Sequence, residues 1–564
     1  MKKRLFKNST FLSAALILAS LASQARAEEF ALGSREMQVE AGASHVKVKQ
    51  RARVVHLSAP GELSQPDTEY VLGSDIAADG TAFIIKASNV TLNLNGHEVV
   101  YSNADSAAAY GVQVEGYQRK DISIVNGRIT QGKGKCSGNQ HGIGCNPVYS
   151  YETTGLEAGG LEIAYSAADT TGILLHWGKD ARIHHNTIED RGSAVTNRHQ
   201  GVSAVQAGGR FTGVVVEHNL IRGARHRGIS AGASSEVFSN EVHIDSVATN
   251  STGITGRSGS VHHNKVFGKG VHPIGIWPGD DIKVFSNYVE VENTRHGGEY
   301  GDTGAAGLRM TWGNNRVEVM HNTFIVHAGL RQDGVRSWGR ALWVGLPGKE
   351  QEAYFHDNLI IANNSDGESK AAGIAVVCLN ESPRLVFSRN RVVSNWANVL
   401  LADTYGHAGG YARFIENEFV RQDSHGSYKT IRSQYSPHQS TGVFISNKFL
   451  NGASIDSIDL EFPGPGKKEV AFGWRLDVAV TENGKPLSGA DIEILDRTGA
   501  VVYKRSTGPE GTVSAEIVEY LMTNQARPWG RSAKTPHKVI VSKGAKSASR
   551  TVNVNGNKSM EFKL

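Results

Sequence analysis

The stretch that begins at Gly253 contains four copies of one pattern of hydrophobic and polar positions, and Trp343 lies in the fourth. Each repeat starts with a glycine and an alternating run, passes through a short polar turn, and closes with a second alternating run that ends in asparagine. Side chains of a β-strand alternate between its two faces, so this period of two predicts strands and argues against helical repeats. Strands repeated at this interval predict a solenoid, in which each coil buries its apolar face against its neighbours.

The repeats extend from about Tyr70 to residue 452, and asparagine ends the second strand in nearly every one. Consecutive asparagines are typically 21 to 36 residues apart, and one gap of 60 predicts a further coil beside a cysteine-containing insertion. Asparagine tolerates the left-handed backbone of a tight turn, and its amide can bond a stacked neighbour. We therefore interpret the series as a structural ladder, whose members are Asn126, Asn186, Asn219, Asn240, Asn264, Asn287, Asn322, Asn358, Asn390, Asn417 and Asn447.

Two strand patterns, G-[IVL]-x-x and x-V-x-[VI]-x-x-N, together with the opening segment SNVTLNLNGHEV, resemble a known family. They are similar to the right-handed parallel β-helix of the pectate-lyase-like superfamily, and more narrowly to exported β-helix repeat proteins. The resemblance covers roughly Tyr70 to Ala453 and implies an all-β fold. It does not imply one activity, because the superfamily contains lyases, hydrolases, epimerases and proteins without catalysis.

The two ends of the chain differ from the repeats. The first residues have a charged start, an apolar run from Phe11 to Ala22 and an A-x-A cleavage site, which is typical of an export signal. The last hundred residues resemble transthyretin-like or peptidase-regulatory-like modules, on the segment PLSGADIEI. The expected organisation is a signal peptide (1–27), lead-in strands (28–68), a β-helix (69–462), a linker (463–468) and a β-sandwich (469–564).

Charge narrows the class of partner. The formal net charge is +5, but five basic and no acidic residues lie in the first 27, so the exported chain is neutral. A neutral chain argues against nucleic acid as a ligand. Residues 467–564 carry 16 basic and 10 acidic residues, which leaves a charge of about −6 on the preceding part of the exported chain. No stretch is long enough to predict a transmembrane segment, and we expect a periplasmic or extracellular location.

Cys136 and Cys145 lie in one glycine-rich insertion. In an exported chain they are expected to form a disulfide that closes the insertion. A free-thiol site or a zinc knuckle is the alternative, although no second Cys/His pair has suitable spacing.

A strip of large side chains is the main functional candidate. If Ile254, Ile276, Leu308 and Leu342 point inward, the next residue of each strand points outward, and these are Thr255, Trp277, Arg309 and Trp343, with Arg257 two residues further along the first strand. Indole faces stack on the C–H faces of sugars, and arginine matches a carboxylate with two hydrogen bonds. Exposed tryptophans of this kind predict a groove for an acidic polysaccharide. The alternative is that loops cover the tryptophans and Arg309 pairs with a nearby acid.

Candidate catalytic residues lie beside this strip. β-Elimination from a uronate needs neutralisation of the carboxylate, a base and a proton donor, and we assign these roles to Arg309, to His272 or His226, and to Tyr300. A hydrolase would instead use Glu299 with Asp302 or Asp280, and a non-catalytic envelope or matrix binding protein is the third possibility. Further substrate contacts are expected from His199, Arg295 and His296.

The sequence indicates no cofactor other than calcium, for which Asp280 and Asp302 are the candidate contacts, because hard cations take carboxylate ligands. By register, however, Gly279-Asp280-Asp281 falls where other repeats have their polar turn, so a turn is the favoured interpretation.

Overall fold

The computed structural model describes residues 40–136, 144–168, 170–193, 203–295, 304–310, 314–345, 351–377, 384–402, 411–422, 427–433, 439–460, 466–525 and 530–564. Within these segments, no helix is long and apolar enough to cross a membrane. The chain is all-β, and its larger part is a solenoid of parallel strands. The predicted fold class, a right-handed parallel β-helix followed by a small β-sandwich, is confirmed.

Each coil contributes a strand to each of three parallel sheets, named here A, B and C in the order in which a coil visits them. Sheet A comprises Gly61–Leu63, Phe83–Ile85, Ala109–Val114, the start of Cys145–Tyr165, Ile173–Lys179, Ser203–Thr212, Arg227–Ala233, Thr252–Gly256, Ile274–Pro278, Ala305–Met310, Trp338–Val344, Lys370–Val376, Ala397–Leu401, Lys429–Ser433 and Ile458–Asp459. Sheet B comprises Arg53–Leu57, Thr68–Leu72, Val90–Asn93, the start of Lys120–Gln131, the middle of Cys145–Tyr165, Arg182–His184, Val215–Glu217, Ser235–Phe238, Gly259–His262, Ile282–Phe285, Val317–Met320, Ala353–His356, Leu385–Ser388, Tyr411–Ile415, Ser440–Ile445 and the start of Lys468–Glu482. Sheet C comprises Ile76–Ala77, Glu98–Tyr101, the ends of Lys120–Gln131 and Cys145–Tyr165, Thr187–Asp190, Leu220–Ala224, Glu241–Ser246, Lys265–Val271, Tyr288–Arg295, Thr323–Ala328, Leu359–Asn364, Arg391–Ser394, Glu418–Arg421 and Lys448–Leu450.

The solenoid begins earlier than the boundary expected at residue 69. Arg53–Leu57 pairs in parallel with Thr68–Leu72, and Gly61–Leu63 pairs with Phe83–Ile85, so these strands already form the first coil. The coil hidden in the gap of 60 residues is the long strand Cys145–Tyr165. At its start, Cys145 is joined to Cys136 by the predicted disulfide, with Cα atoms 5.7 Å apart.

The asparagine ladder is present at the turn between sheets B and C. The Asn287 amide donates to Asn322 Oδ1 at 2.9 Å and to the Val261 carbonyl at 2.9 Å, while its Oδ1 accepts from Asn264 Nδ2 at 3.0 Å. The same bonds connect each asparagine from Asn186 to Asn447 to the next. The left-handed residue is usually the one before the asparagine, such as Ser286 with a φ of 54°. The ladder therefore satisfies buried backbone groups at every turn.

The N-terminal segment packs against the turn of the hidden coil, where the ladder begins. Leu161 takes the asparagine position in that coil, because its N–H donates to Asn186 Oδ1 and the Ala158 carbonyl accepts from Asn186 Nδ2. The preceding residue, Gly160, has a φ of 65°, and a Cβ there would lie 2.6 Å from the Ser44 carbonyl oxygen. The nearby Val46 N–H donates to Asn126 Oδ1 at 2.7 Å, and Asn126 Nδ2 donates to the Val46 carbonyl at 2.8 Å. The N-terminal segment thus occupies the space beside Gly160 and holds the Asn126 side chain.

The sandwich is built directly on the last coil. Strand Lys468–Glu482 pairs in parallel with Ser440–Ile445 and then in antiparallel with Thr512–Thr523, so the boundary expected between residues 468 and 469 falls inside one strand. Lys485–Pro486, Gly530–Ala533 and Lys558–Lys563 complete this sheet, and the opposing four-stranded sheet contains Asp491–Leu495, Val501–Ser506, His537–Lys543 and Lys546–Val552. A row of stacked rings crosses the junction, formed by Phe355, Phe387, Phe414, Phe444, Phe472 and Tyr520.

The recurrent glycine of sheet A is required by close packing inside the coil. An added Cβ at Gly275 would lie 2.1 Å from Val289 Cγ1 of sheet C and 2.5 Å from the Gly307 carbonyl oxygen of the next coil. Gly228 and Gly253 meet equivalent neighbours. Both the glycine and the following residue therefore face the interior, which is a local departure from strict alternation.

We expect Gly275→Ala to lower the apparent thermal midpoint, measured by circular dichroism, by roughly 1–3 °C, because overpacking of a filled core costs about 1–3 kcal/mol. Gly61→Ala is the matched control, since no atom lies within 4 Å of a Cβ added there. Equal midpoints for the two variants would show that the clearance inside the coil does not limit stability.

Candidate functional site

The predicted column of side chains forms on the outer surface of sheet A. Thr255 pairs with Trp277, and Arg309 pairs with Trp343, across adjacent parallel strands. The preceding residues Ile254, Ile276, Leu308 and Leu342 are fully buried, as expected. We call the outward positions in register with Trp277 the Trp277 row.

The expectation that both tryptophans are exposed is wrong for Trp343, of which only 3% is exposed. Trp277 and Arg309 are half-buried. The Arg309 guanidinium carbon lies 4.9 Å from the centre of the Trp277 ring and 4.4 Å from that of Trp343. Because each indole is covered by a guanidinium, the tryptophans pack within the protein to a degree that sequence alone did not indicate.

Arg340 is a site residue that strict alternation missed. It lies 4.5 Å from the Trp343 ring and 4.9 Å from the Trp338 ring, and only 1% of it is exposed. Its register partners Ile274 and Ala306 pack with Trp343 in a cluster separate from the main core. Since two consecutive residues face inward in each sheet A strand, the positions on both sides of that pair face outward. The sequence indicates this arrangement through the glycine that recurs at the first of the two inward positions, where the strand of Arg340 has Ala341.

We call this second set of outward positions the Arg340 row. From Arg227 to Asp459 the two rows together hold five cations and one carboxylate among their registered, described positions: Arg227, Arg309, Arg340, Lys429 and Arg432 against Asp459. Burial lowers the pKa of Arg227 and of Arg432. The outer surface of sheet A is thus basic from Arg227 onward, although residues 28–466 carry a net charge of about −6.

His226 and Arg309 lie on either side of one short segment. Arg309 Nη1 donates to Asn250 Oδ1, and the backbone at Thr249 is hydrogen-bonded to the His226 ring. Only 2% of His226 is exposed, and burial, with the charge of Arg227 as a second cause, lowers its pKa to about 4. The imidazole is therefore neutral at pH 7 and has a nitrogen that can accept a proton.

His272 is also buried, with 2% of it exposed, so neither histidine lies on the open surface that the sequence suggested. Its backbone N–H donates to Asn293 Oδ1 at 3.3 Å, and its φ of 40° places it in the left-handed region. It occupies the turn that leads into the strand carrying Trp277. Burial of these turns follows from the tight passage between sheets C and A.

The remaining described candidates are dispersed. Arg257 is exposed at the end of its strand, and Arg295 forms an ion pair of 3.3 Å with Asp245. Asp280 accepts a hydrogen bond from the Asn315 N–H at 2.8 Å in the turn before Ile282–Phe285, which supports the turn interpretation. Among the described residues, no group of three or more His, Cys, Asp or Glu side chains could hold a metal ion. The candidates outside the described residues are His199, His296, Glu299, Tyr300 and Asp302.

No family model matches the chain, and no curated protein matches it. Among solved structures it is similar to a mutant tailspike protein of E. coli bacteriophage HK620, with 13% identity over 88% of this chain and 86% of that one and a TM-score of 0.37. The Dettilon tailspike protein gives 13% identity, 87% and 71% coverage and a TM-score of 0.31. The A-module of the Azotobacter vinelandii mannuronan C-5 epimerase AlgE6 gives 10% identity, 78% and 97% coverage and a TM-score of 0.28. The function must accordingly be inferred from the side chains of this chain.

Proposed function

We propose that this protein binds an acidic polysaccharide along the outer surface of sheet A. The observation that supports the proposal is the basic row of indoles and guanidiniums centred on Trp277 and Arg309, on a domain whose total charge is negative. A local field opposite in sign to the domain as a whole attracts a polyanion to this surface and repels it from the others.

The geometry suits recognition of a carboxylated sugar. The indoles of Trp277 and Trp343 hold the Arg309 guanidinium between them, which limits the side-chain entropy lost when a ligand binds. A guanidinium fixed in this way presents its N–H edge to a carboxylate in a defined plane. The half-buried Trp277 supplies an adjoining apolar face for the sugar ring. One uronate residue could therefore contact both side chains.

Cleavage by β-elimination is the second candidate, favoured by the neutral, low-pKa imidazole of His226. In this step a base removes the C5 proton, the electron pair forms the C4–C5 double bond, and the C4–O bond breaks as the leaving oxygen takes a proton. Arg309 would neutralise the carboxylate, His226 or His272 would act as base, and Tyr300 is the proton donor expected from the sequence. Because only 2% of His226 is exposed, this role requires that the C5 proton of the sugar reach an almost fully buried ring.

We also propose that the protein is exported, on the basis of the charged, apolar and A-x-A segments in residues 1–27. N-terminal sequencing of the protein from the producing cells should give a start near Glu28. A mature chain that still begins at Met1 would contradict export by this signal.

Arg309→Ala should weaken binding of polygalacturonate or alginate by about tenfold or more, because it removes a charge-assisted pair of hydrogen bonds. Calorimetric titration at low and high salt measures the loss, and the wild-type affinity should itself fall as salt rises. Arg389→Ala is the matched control. It removes the same charge from the β-helix at the turn before Asn390, where Arg389 pairs with Asp357 at 2.7 Å. Equal losses in the two variants would mean that only net charge matters and would contradict a specific site.

If the protein is a lyase, incubation with these polymers should raise ultraviolet absorbance and reducing ends together. With His226 as base, kcat/KM should rise as pH increases through about 4 and be level above roughly pH 5.5, because the deprotonated form is then complete. A base with the ordinary histidine pKa of about 6.5 would still be gaining activity there. His226→Gln should abolish the absorbance change and leave binding intact. New reducing ends without absorbance would instead indicate hydrolysis.

A further inference from the structure

A second group of aromatic residues lies on the outer surface of sheet A, in the first coils of the helix. Tyr110 and Tyr149 stack at 4.9 Å and pack with Leu174. Beside them Tyr151 stacks on Trp177 at 5.7 Å with an interplanar angle of 25°, and Tyr117 meets the edge of Tyr151 at 5.8 Å. We call Tyr117, Tyr151 and Trp177 the aromatic platform; His176 contacts both Tyr151 and Trp177 edge-on.

The backbone under the platform departs from regular strand geometry. The pairing of Ile173–Lys179 with Ser203–Thr212 shifts register between Leu174 and Gly178, and Trp177 has a φ of 67°. Bulky side chains rarely occupy this left-handed region, and bulges commonly re-aim a side chain next to a functional site. Glu152, which falls at the equivalent place in the preceding coil, has a φ of 50°. Two consecutive coils therefore hold the same unusual conformation at the base of the platform.

The platform is open and is not basic. Tyr117 is 73% exposed, which is unusual for a large aromatic side chain. Charges of both signs lie near Tyr117, since Lys86 contacts both Glu62 and Glu115 and Arg119 donates to the Glu115 carbonyl, which makes two cations against two carboxylates. A surface of rings with hydroxyl and N–H edges, without excess charge, suits the apolar face and hydroxyls of a pyranose ring rather than its carboxylate.

The platform lies beside the row that contains the site proposed above, because Trp177 follows Leu174 by three residues on the same strand. Tyr149 and Leu174 occupy the same register as Gln206, Ser230, Thr255 and Trp277 on successive strands. Four strand spacings separate Leu174 from Trp277, which is about 19 Å along the helix axis. The positions between them carry amide and hydroxyl side chains that can hydrogen-bond a sugar. An extended oligosaccharide can therefore contact both ends of this surface at once.

We propose that Tyr117, Tyr151 and Trp177 form a second sugar-binding subsite, which stacks pyranose rings of the same polysaccharide several residues away from the one held at Trp277 and Arg309. This inference rests on the proposed function. The ligand is then a long chain that the protein binds at two points, through charge at one and through ring stacking at the other. Binding at the two points is additive in free energy, so affinity should increase sharply once the oligomer is long enough to span both.

The test is calorimetric titration with uronate oligomers from trimer to dodecamer, prepared from polygalacturonate and from alginate. Tyr117→Ala and Trp177→Gly should weaken binding of the longest oligomers by about tenfold, a loss of stacking energy, and leave trimer binding unchanged. Arg309→Ala should weaken both. Tyr354→Ala is the matched control, because Tyr354 is 44% exposed on sheet B. Glycine accepts the left-handed backbone at position 177, so Trp177→Gly adds no backbone strain, and the thermal midpoint of each variant is measured beside its affinity.

Three outcomes separate the proposals. Loss confined to the long oligomers in both platform variants supports the second subsite. Unchanged affinity at every length in Tyr117→Ala and Trp177→Gly, with loss in Arg309→Ala, overturns the subsite and leaves the proposed function standing. Failure of the wild-type protein to bind any oligomer or parent polymer overturns both. If Trp177→Gly lowers the midpoint, the highly exposed Tyr117 decides the question alone.

Discussion

The structure depends on the hydrogen bonds that each turn asparagine makes to the coil above and the coil below. Nδ2 of Asn287 bonds its own coil, the preceding coil and the next asparagine, so three buried groups are satisfied by one side chain. A buried amide left without these partners costs about 1–3 kcal/mol, so the turn geometry is nearly identical from coil to coil. This uniformity keeps the strands in register over the length of the helix. It is also the reason that single residues from separate repeats come to lie in straight rows.

The rows bring residues from separate repeats together on one surface of the helix. Trp277, Arg309 and Trp343 are far apart in sequence and adjacent in space because their strands pair in parallel without an offset. The packing of guanidiniums against indoles then decides what this surface can do. Arg340 is almost inaccessible and serves as support, whereas Arg309 and Trp277 retain accessible area at the edge of the layer. Binding is expected where such a layer is rigid and still partly open.

The sequence predicted the fold well because the repeats supply many copies of the same signal. The period of two placed Ile276 and Leu308 inside and Trp277 and Arg309 outside, and the recurring asparagine located the ladder. It failed where a residue's environment depends on close packing across coils. Strict alternation predicted that Arg340 faces inward, because a single repeat does not show that Ala341 and Leu342 are both buried. Alternation predicted that Trp343 is exposed, whereas side chains from neighbouring strands cover it. The sequence did not predict the aromatic platform, because the register shift between Leu174 and Gly178 interrupts the alternation that indicates outward residues.

The strand shared by the last coil and the sandwich has a further consequence. A stack of parallel coils has an open end, where unpaired backbone groups could add another strand from any chain. Lys468–Glu482 occupies that edge of sheet B and then turns its own free edge toward an antiparallel partner, Thr512–Thr523. The direction of pairing changes there, and a coil from a second molecule finds no parallel template on that sheet. The sandwich thereby caps the sheet B edge of the last coil, so that this edge of a repeating structure is closed by the chain's own next domain.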